Sequence, residues 1–143
     1  MLPIPGVGKK QSVRSDGEQT GPVALNHVID LLRPHFQGQQ REQLRALFFG
    51  PGGHALVGMA AGQGSKAAVE LSVRRIVASA LAADACAMVL AHNHPSGDPN
   101  PSVQDVHATR DLARLCFSLD IRLLDHIVMS GEQITSMRAM RLI

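Results

Sequence analysis

The stretch Ala87-Met-Val-Leu-Ala-His92-Asn-His94-Pro95 decides the fold, because it predicts a buried strand that ends at two histidines. Successive side chains of a strand point to opposite faces, so His92 and His94 point the same way, with their backbones about 7 Å apart. Pro95 ends the strand, because it has no N–H to donate to a neighbouring strand. Two imidazoles are therefore expected on one face at the end of one strand.

A helix is predicted to begin shortly after this strand. The segment from Ser96 to Pro101 is rich in turn-forming residues, and Ser102 and Asp105 have the Ser-x-x-Asp spacing of an N-terminal capping box. Asp105 would then lie in the first turn of the helix and face back toward the two histidines. Capping alone would explain both residues, but it is compatible with metal binding, because a carboxylate has several lone pairs.

The two histidines and the aspartate are three candidate metal ligands. Three protein ligands are typical of a catalytic zinc, which keeps its fourth position open. A hydrolytic zinc site also needs a base, and spacing alone leaves Glu42 and Glu70 as alternatives. The tripeptide His92-Asn93-His94 is not the signature of an HNH nuclease, whose three residues are dispersed over a ββα unit.

The hydrophobic pattern of the chain predicts an α/β fold with a mixed β-sheet flanked by helices. The predicted elements are a helix at 23–36 interrupted near Pro34, a hairpin of strands 43–49 and 54–60, an extended piece near 67–71, a helix capped by Ser72, a strand at 86–91, a helix at 102–119, and strands at 121–129 and 133–137.

The composition is that of one globular domain. The 143 residues are 45% hydrophobic, enough for a single core, and the net charge of +2 is too small to argue for nucleic-acid binding by itself. We expect residues 1–22 to be a disordered tail without a signal peptide, and no apolar run is long enough to span a membrane. Cys86 and Cys116 are expected to be buried free thiols in a reducing cytoplasm.

The sequence resembles the metalloprotease signature of the JAB/MPN domain family, also called JAMM. The pattern His-x-His-Pro, six residues, Ser, two residues, Asp at 92–105 matches that signature at each motif position. The sequences of segments 91–97 and 123–128 are similar to those of the RadC-like branch of the family, and the resemblance covers roughly 25–143. It implies a cytidine-deaminase-like architecture and assigns 23–143 to a RadC-like JAB/MPN metallohydrolase domain.

The resemblance also implies a function, which is zinc-dependent hydrolysis of amide or isopeptide bonds in a protein or peptide substrate. The glutamate of the family lies at the start of the strand after the first helix, which favours Glu42 over Glu70. The implied site consists of a general acid/base, an oxyanion donor and three Zn²⁺ ligands: Glu42, Ser102, His92, His94 and Asp105.

Two other function classes stay open. RadC-like proteins usually carry an N-terminal helix-hairpin-helix segment that binds DNA, and about twenty polar residues precede the domain here. We therefore expect that element to be missing, which weakens a DNA-associated role in repair or mobile-element biology. The second alternative is a catalytically silent interaction module, which the complete ligand set argues against.

Other polar residues near the motif have structural explanations. We expect His126 to be a core or sheet-edge histidine held by Asp125 or by the backbone, with a supporting contact to the metal ligands as the alternative. Asn93 and Ser96 flank the ligands and are candidates for supporting hydrogen bonds. Asp98 is expected to stabilise the turn.

Overall fold

The computed structural model describes residues 24–53, 55–63 and 66–143, and it describes only the backbone of residues 53, 63 and 66–72. The tail predicted at 1–22 lies outside the described residues. The elements in chain order are α1 Leu25–Phe36, β1 Gln43–Phe49, β2 Leu56–Gln63, α2 Lys66–Ala82, β3 Ala87–Asn93, α3 Val103–Ser118, β4 Arg122–Ser130 and β5 Gln133–Ser136, with a 3-10 turn at Pro51–Gly53.

The five strands form one mixed sheet with the order β2-β1-β3-β4-β5. The central strand β3 is antiparallel to β1 and parallel to β4, and β5 returns antiparallel to β4. Every residue of β3 is buried, which agrees with its apolar sequence, since a strand covered on both faces reads as a continuous hydrophobic run. The predicted α/β fold with a mixed sheet is confirmed.

Helices cover both faces of the sheet and create two hydrophobic clusters. On one face, Leu32 of α1 packs in a cluster with Val89 of β3. On the other face, Ile76 of α2 and Leu112 of α3 pack in a cluster with Leu90 of β3. Burial of each such side chain contributes roughly 1.5–3 kcal/mol. Residues of β3 with even numbers therefore face α2 and α3, and those with odd numbers face α1.

The second helix begins earlier than the sequence predicts. The backbone is helical from Lys66, so the predicted extended piece at 67–71 is wrong, and Ser72 lies inside α2 instead of capping it. The segment contains Ala, Glu and Leu, which are strong helix formers, but it lacks the periodic apolar stripe on which the prediction relied.

Two smaller predictions are also corrected. The predicted interruption near Pro34 is wrong, because α1 continues through this residue to Phe36. The missing N–H of Pro34 removes a single hydrogen bond in the last turns of the helix, and the helix tolerates this loss. Cys86 is exposed, since it precedes β3 at the edge of the core, whereas Cys116 is buried as predicted.

Candidate metal centre

The candidate site lies where β3 ends and α3 begins. His92 is the second-to-last residue of β3, and His94 follows the strand directly. The backbone of His94 is anchored on β4, because its N–H donates to the Met129 carbonyl at 2.9 Å and its own carbonyl accepts from the Ser130 hydroxyl at 2.8 Å. Ser130 is buried. The sequence analysis missed it, because only the parallel pairing of β3 and β4 brings it near the motif.

The structure brings the three predicted ligands together. The Nε2 atoms of His92 and His94 are 2.8 Å apart, and Oδ2 of Asp105 lies 3.3 Å from the first and 3.6 Å from the second. Each of the three residues offers one ligand atom, and these three atoms all lie within 4.8 Å of one another. Both imidazoles are buried, with 5% and 9% exposure. The group could hold one metal ion.

A backbone carbonyl determines which ring nitrogen of His94 carries the hydrogen. Its Nδ1 lies 2.8 Å from the carbonyl oxygen of Asp98, which can only accept a hydrogen bond. Nδ1 therefore carries the hydrogen, and in the neutral ring Nε2 presents its lone pair to the cluster. The carboxylate of Asp98 accepts from the N–H and the side-chain amide of Asn100, so it stabilises the turn as predicted.

Asp105 is both a candidate ligand and a helix cap. Ser102 is the N-cap of α3, its hydroxyl oxygen accepts from the Asp105 N–H at 3.0 Å, and its own N–H donates to Oδ2 of Asp105 at 2.8 Å. The predicted capping box is present. Partial burial raises the pKa of Asp105, but hydrogen bonding and charge attraction from His92, together with the Ser102 bonds, lower it well below its ordinary value.

His126 contacts a candidate ligand, which the sequence analysis treated as the less favoured alternative. Its Nε2 lies 2.7 Å from Nδ1 of His92, and its Nδ1 lies 2.7 Å from the hydroxyl of Thr109. His126 is buried, as expected of a core histidine. The expectation that Asp125 or the backbone holds its ring is wrong, because the ring nitrogens contact His92 and Thr109, and the Asp125 carboxylate accepts from the backbone N–H of His126. Burial, followed by the charge of His92, lowers the pKa of His126 well below its ordinary value, so the ring is neutral near pH 7.

Thr109 itself was missed by the sequence analysis. It is buried on α3 and its hydroxyl also donates to the Asp105 carbonyl at 2.5 Å. The signal was available in principle, since residues four apart on a helix lie on the same face. Without knowledge of how α3 packs on β4, however, nothing distinguishes Thr109 from an ordinary core residue.

Glu42, the predicted acid/base, lies at the edge of the cluster. Its Oε1 is 3.8 Å from Nε2 of His94, and its side chain is 44% exposed. The buried side chain of Asn93 holds the backbone on both sides of this glutamate, accepting from the Gln43 N–H at 2.6 Å and donating to the Arg41 carbonyl at 3.1 Å. The side chain of Glu70, the alternative base, lies outside the described residues.

A cleft of about 630 Å³ adjoins the cluster on the side of α1. The C-terminal end of α1, the loop after β3 and the turn between β4 and β5 form its walls. Its lining includes Asn93, Gln37, Gln39 and Gln40 and, of the three candidate ligands, His94.

The fold and the site together define an α/β domain with a candidate His-His-Asp metal centre. The sequence profile of the RadC-like JAB domain matches residues 23–142. The chain therefore belongs to the RadC-like JAB domain family, as the motif predicted.

Relatives of known sequence support this assignment. The UPF0758 protein RALTA_A2508 of Cupriavidus taiwanensis is 32% identical over 134 residues, which are 94% of this chain and 59% of that protein. The UPF0758 protein YkfG of Escherichia coli is 35% identical over 114 residues, which are 80% of this chain and 72% of that protein. These names state no activity. The chain thus spans about three fifths of the Cupriavidus relative.

None of the helices in the described part of the chain combines the length and the apolar composition needed to cross a bilayer.

Proposed function

We propose that this domain is a zinc-dependent hydrolase of amide or isopeptide bonds that acts on a protein or peptide. One observation carries the proposal: the ligand atoms of His92, His94 and Asp105 converge within 4.8 Å, beside the carboxylate of Glu42. Membership of a JAB domain family is compatible with hydrolysis. The identity of the ion, the reaction and the substrate are part of the proposal.

The donor set suits zinc. Two imidazole nitrogens and one carboxylate oxygen are common zinc ligands, and three protein ligands leave a coordination position for a reactant. The hydrogen bond from His94 to the Asp98 carbonyl turns its Nε2 lone pair toward the cluster, as a ligand requires. Bound zinc would supply Lewis-acid chemistry, polarising a carbonyl and lowering the pKa of water to about 7.

Glu42 is suited to move the proton in such a reaction. Its carboxylate is 3.8 Å from the imidazole of His94 and is not held by the capping box that occupies Asp105. A carboxylate in this position can accept a proton from the attacking water and deliver it to the leaving amine. Its partial exposure lets the leaving group and the carboxylate meet at the surface of the site.

Ser102 can serve as an oxyanion donor as well as a cap. Its oxygen accepts from the Asp105 N–H, and this bond leaves its own hydroxyl proton free to donate. A single donor of this kind contributes about 3 kcal/mol to the lowering of the barrier in other hydrolases. The capping box therefore does not exclude the catalytic role.

The cleft next to His94 supports a peptide-like substrate. Its volume of about 630 Å³ falls in the usual range of ligand sites. Glutamine side chains on its wall offer both amide donors and carbonyl acceptors, which match the alternating groups of a peptide backbone.

Metal analysis is the first test. The purified protein, dialysed without chelator against a trace of zinc, should hold one zinc per chain, and a His92→Ala/His94→Ala variant should hold none. A native protein without stoichiometric zinc would refute the proposal at this step.

Turnover is the second test. Zinc-loaded protein is incubated with a fluorescence-quenched peptide library and with a set of lysine-isopeptide substrates. The matched control is Glu42→Gln, which keeps the size of the side chain but removes the proton acceptor. We expect native cleavage and at least 100-fold slower cleavage by the variant, since general acid–base catalysis contributes roughly 10²–10⁴-fold. Equal rates would show that Glu42 is not the base.

A further inference from the structure

The hydrogen bonds behind His92 form a chain whose direction can be read from its far end. Thr109 lies between His126, at 2.7 Å, and the carbonyl oxygen of Asp105, at 2.5 Å. A carbonyl can only accept, and a threonine hydroxyl has a single proton. The proton of Thr109 therefore points to the Asp105 carbonyl, and its oxygen must accept from Nδ1 of His126.

The same logic continues to the ligand. With its hydrogen on Nδ1, the ring of His126 offers the lone pair of Nε2 as an acceptor, and this atom lies 2.7 Å from Nδ1 of His92. His92 must then carry its hydrogen on Nδ1 and donate it to His126. In the neutral ring, which is the form that binds a metal, its own Nε2 is then bare and lies 2.8 Å from Nε2 of His94 and 3.3 Å from Oδ2 of Asp105.

The opposite direction conflicts with the contacts. A proton given by Thr109 to His126 would leave the oxygens of Thr109 and Asp105 facing each other at 2.5 Å without a hydrogen between them. An unbridged contact between two buried oxygens is unfavourable. The same direction would place a proton on Nε2 of His92, and that proton would prevent this atom from binding a metal.

We propose that Thr109 and His126 are positioning residues of the metal centre, which hold His92 in the tautomer that presents a bare Nε2 and tie it to the first turn of α3. This inference rests on the proposed zinc site. The chain of bonds runs from one ligand, His92, to the backbone of another, Asp105, so it connects β3 to α3 through β4. The distance between His92 and Asp105 then depends on the hydrogen bond between His126 and Thr109, which joins the two ligands indirectly.

The proposal is tested by changing one hydroxyl. Thr109→Val keeps the shape of the side chain and removes the hydroxyl, whereas Thr109→Ser retains it. Thr135→Val is the matched control, because the described part of the chain shows no hydrogen bond from the Thr135 side chain. Zinc affinity is measured by competition with a chromophoric chelator. We expect Thr109→Val to bind about 10-fold more weakly, at the lower end of the 10–100-fold losses typical of such supporting residues.

The two other variants define the comparison. Thr109→Ser and Thr135→Val should bind zinc like the native protein. A His126→Phe variant should lose more affinity than Thr109→Val, since it removes the direct partner of His92. Native affinity in Thr109→Val would overturn the proposal, and so would equal losses in the valine and serine variants at this position.

Tautomers give a readout that does not depend on metal binding or activity. Long-range ¹⁵N–¹H correlations of histidine-labelled native protein report which ring nitrogen carries the hydrogen. The proposal requires the hydrogen of His126 on Nδ1, and it requires the zinc-loaded His92 to carry its hydrogen on Nδ1. A hydrogen on Nε2 of His126 in the native protein would refute the assigned direction.

These readouts separate the two proposals. If the native protein binds zinc and cleaves peptides while Thr109→Val matches it in affinity, the positioning role fails and the hydrolase stands. If the native protein cleaves nothing, but His126 carries its hydrogen on Nδ1 and zinc affinity falls in Thr109→Val and not in Thr109→Ser or Thr135→Val, the hydrolase fails and the positioning role stands.

Discussion

Asn93 offers a prediction that separates the metal centre from the base. Its side chain lies on the face of β3 opposite to the imidazoles and bonds the backbone of Arg41 and Gln43, on either side of Glu42. The backbone pairing of β1 with β3 ends at Leu44 and His92. Beyond this pair, the Asn93 side chain makes the hydrogen bonds to the backbone of the segment around Glu42. Asn93→Ala should therefore release Glu42 without disturbing the ligands.

The magnitude follows from the two bonds, at 2.6 and 3.1 Å. Each contributes about 0.5–1.5 kcal/mol net, so the free energy of unfolding should fall by about 1–3 kcal/mol. Loss of about 1.4 kcal/mol at the Gln43 amide would speed its hydrogen exchange about tenfold, and a displaced carboxylate can cost about 10²-fold in rate. Zinc affinity should stay native, because Asn93 donates to no ligand side chain.

Amide exchange by NMR and single-turnover cleavage are the assays. Asn93→Asp keeps the acceptor for Gln43 but loses the donor to Arg41, so it should show native-like exchange at Gln43 with slower cleavage. Asn100→Ala is the control, since that asparagine is exposed and, among the described residues, its side chain bonds Asp98 alone. In a Glu42→Gln background, Asn93→Ala should slow cleavage no further. Native exchange and native cleavage in Asn93→Ala would refute the reasoning.

Three further predictions concern the ligand cluster and its cap. Ser102→Ala should lose about 1 kcal/mol of stability in urea titrations and about 100-fold in cleavage rate, whereas Ser102→Thr should retain most of both; full activity in the alanine variant would exclude an oxyanion role. The folded-state pKa of Asp105 lies below its ordinary value of 3.8, so its stabilising contribution is present above about pH 4 and is lost as the pH falls. Metal-free Asp105→Asn should consequently lose less stability than the native protein between pH 5 and pH 2 in urea titrations, and an equal loss would contradict this account. Zinc at 100 times its dissociation constant should raise the free energy of unfolding by about 2.7 kcal/mol, measured by thermal denaturation with and without chelator; a similar rise in His92→Ala/His94→Ala would mean that the ion binds elsewhere.

The sequence predicts those parts of the site that are local in the chain. A buried strand, a turn and a capped helix place His92, His94 and Asp105 within one short segment, so alternation and capping suffice to bring them together. The strands follow in the same way, because β1, β3 and β4 have clear apolar runs. The start of α2 was predicted seven residues too late, at Val73 instead of Lys66, since its first residues show helix propensity without a periodic stripe.

Contacts between distant segments could not be predicted. Thr109 and His126 are 17 residues apart and meet only because α3 packs on β4. Asn93 and Arg41 are 52 residues apart and meet only through the register of β1 on β3. The side chain of a histidine or an asparagine carries no signal of its distant partner, so a prediction from one sequence stops at the ligands and misses the residues that hold them.

The alternation of side chains along β3 makes the site a test of correct strand pairing. His92 and His94 face α3 while Asn93 faces α1, because neighbouring residues of a strand point to opposite sides. A slip of β3 by one residue would turn both imidazoles toward the packing surface of α1 and would turn the amide toward Asp105. In a domain with the slipped register, the candidate ligands would not converge. A metal ion that binds them would therefore stabilise the native register relative to the slipped one during the last stage of folding.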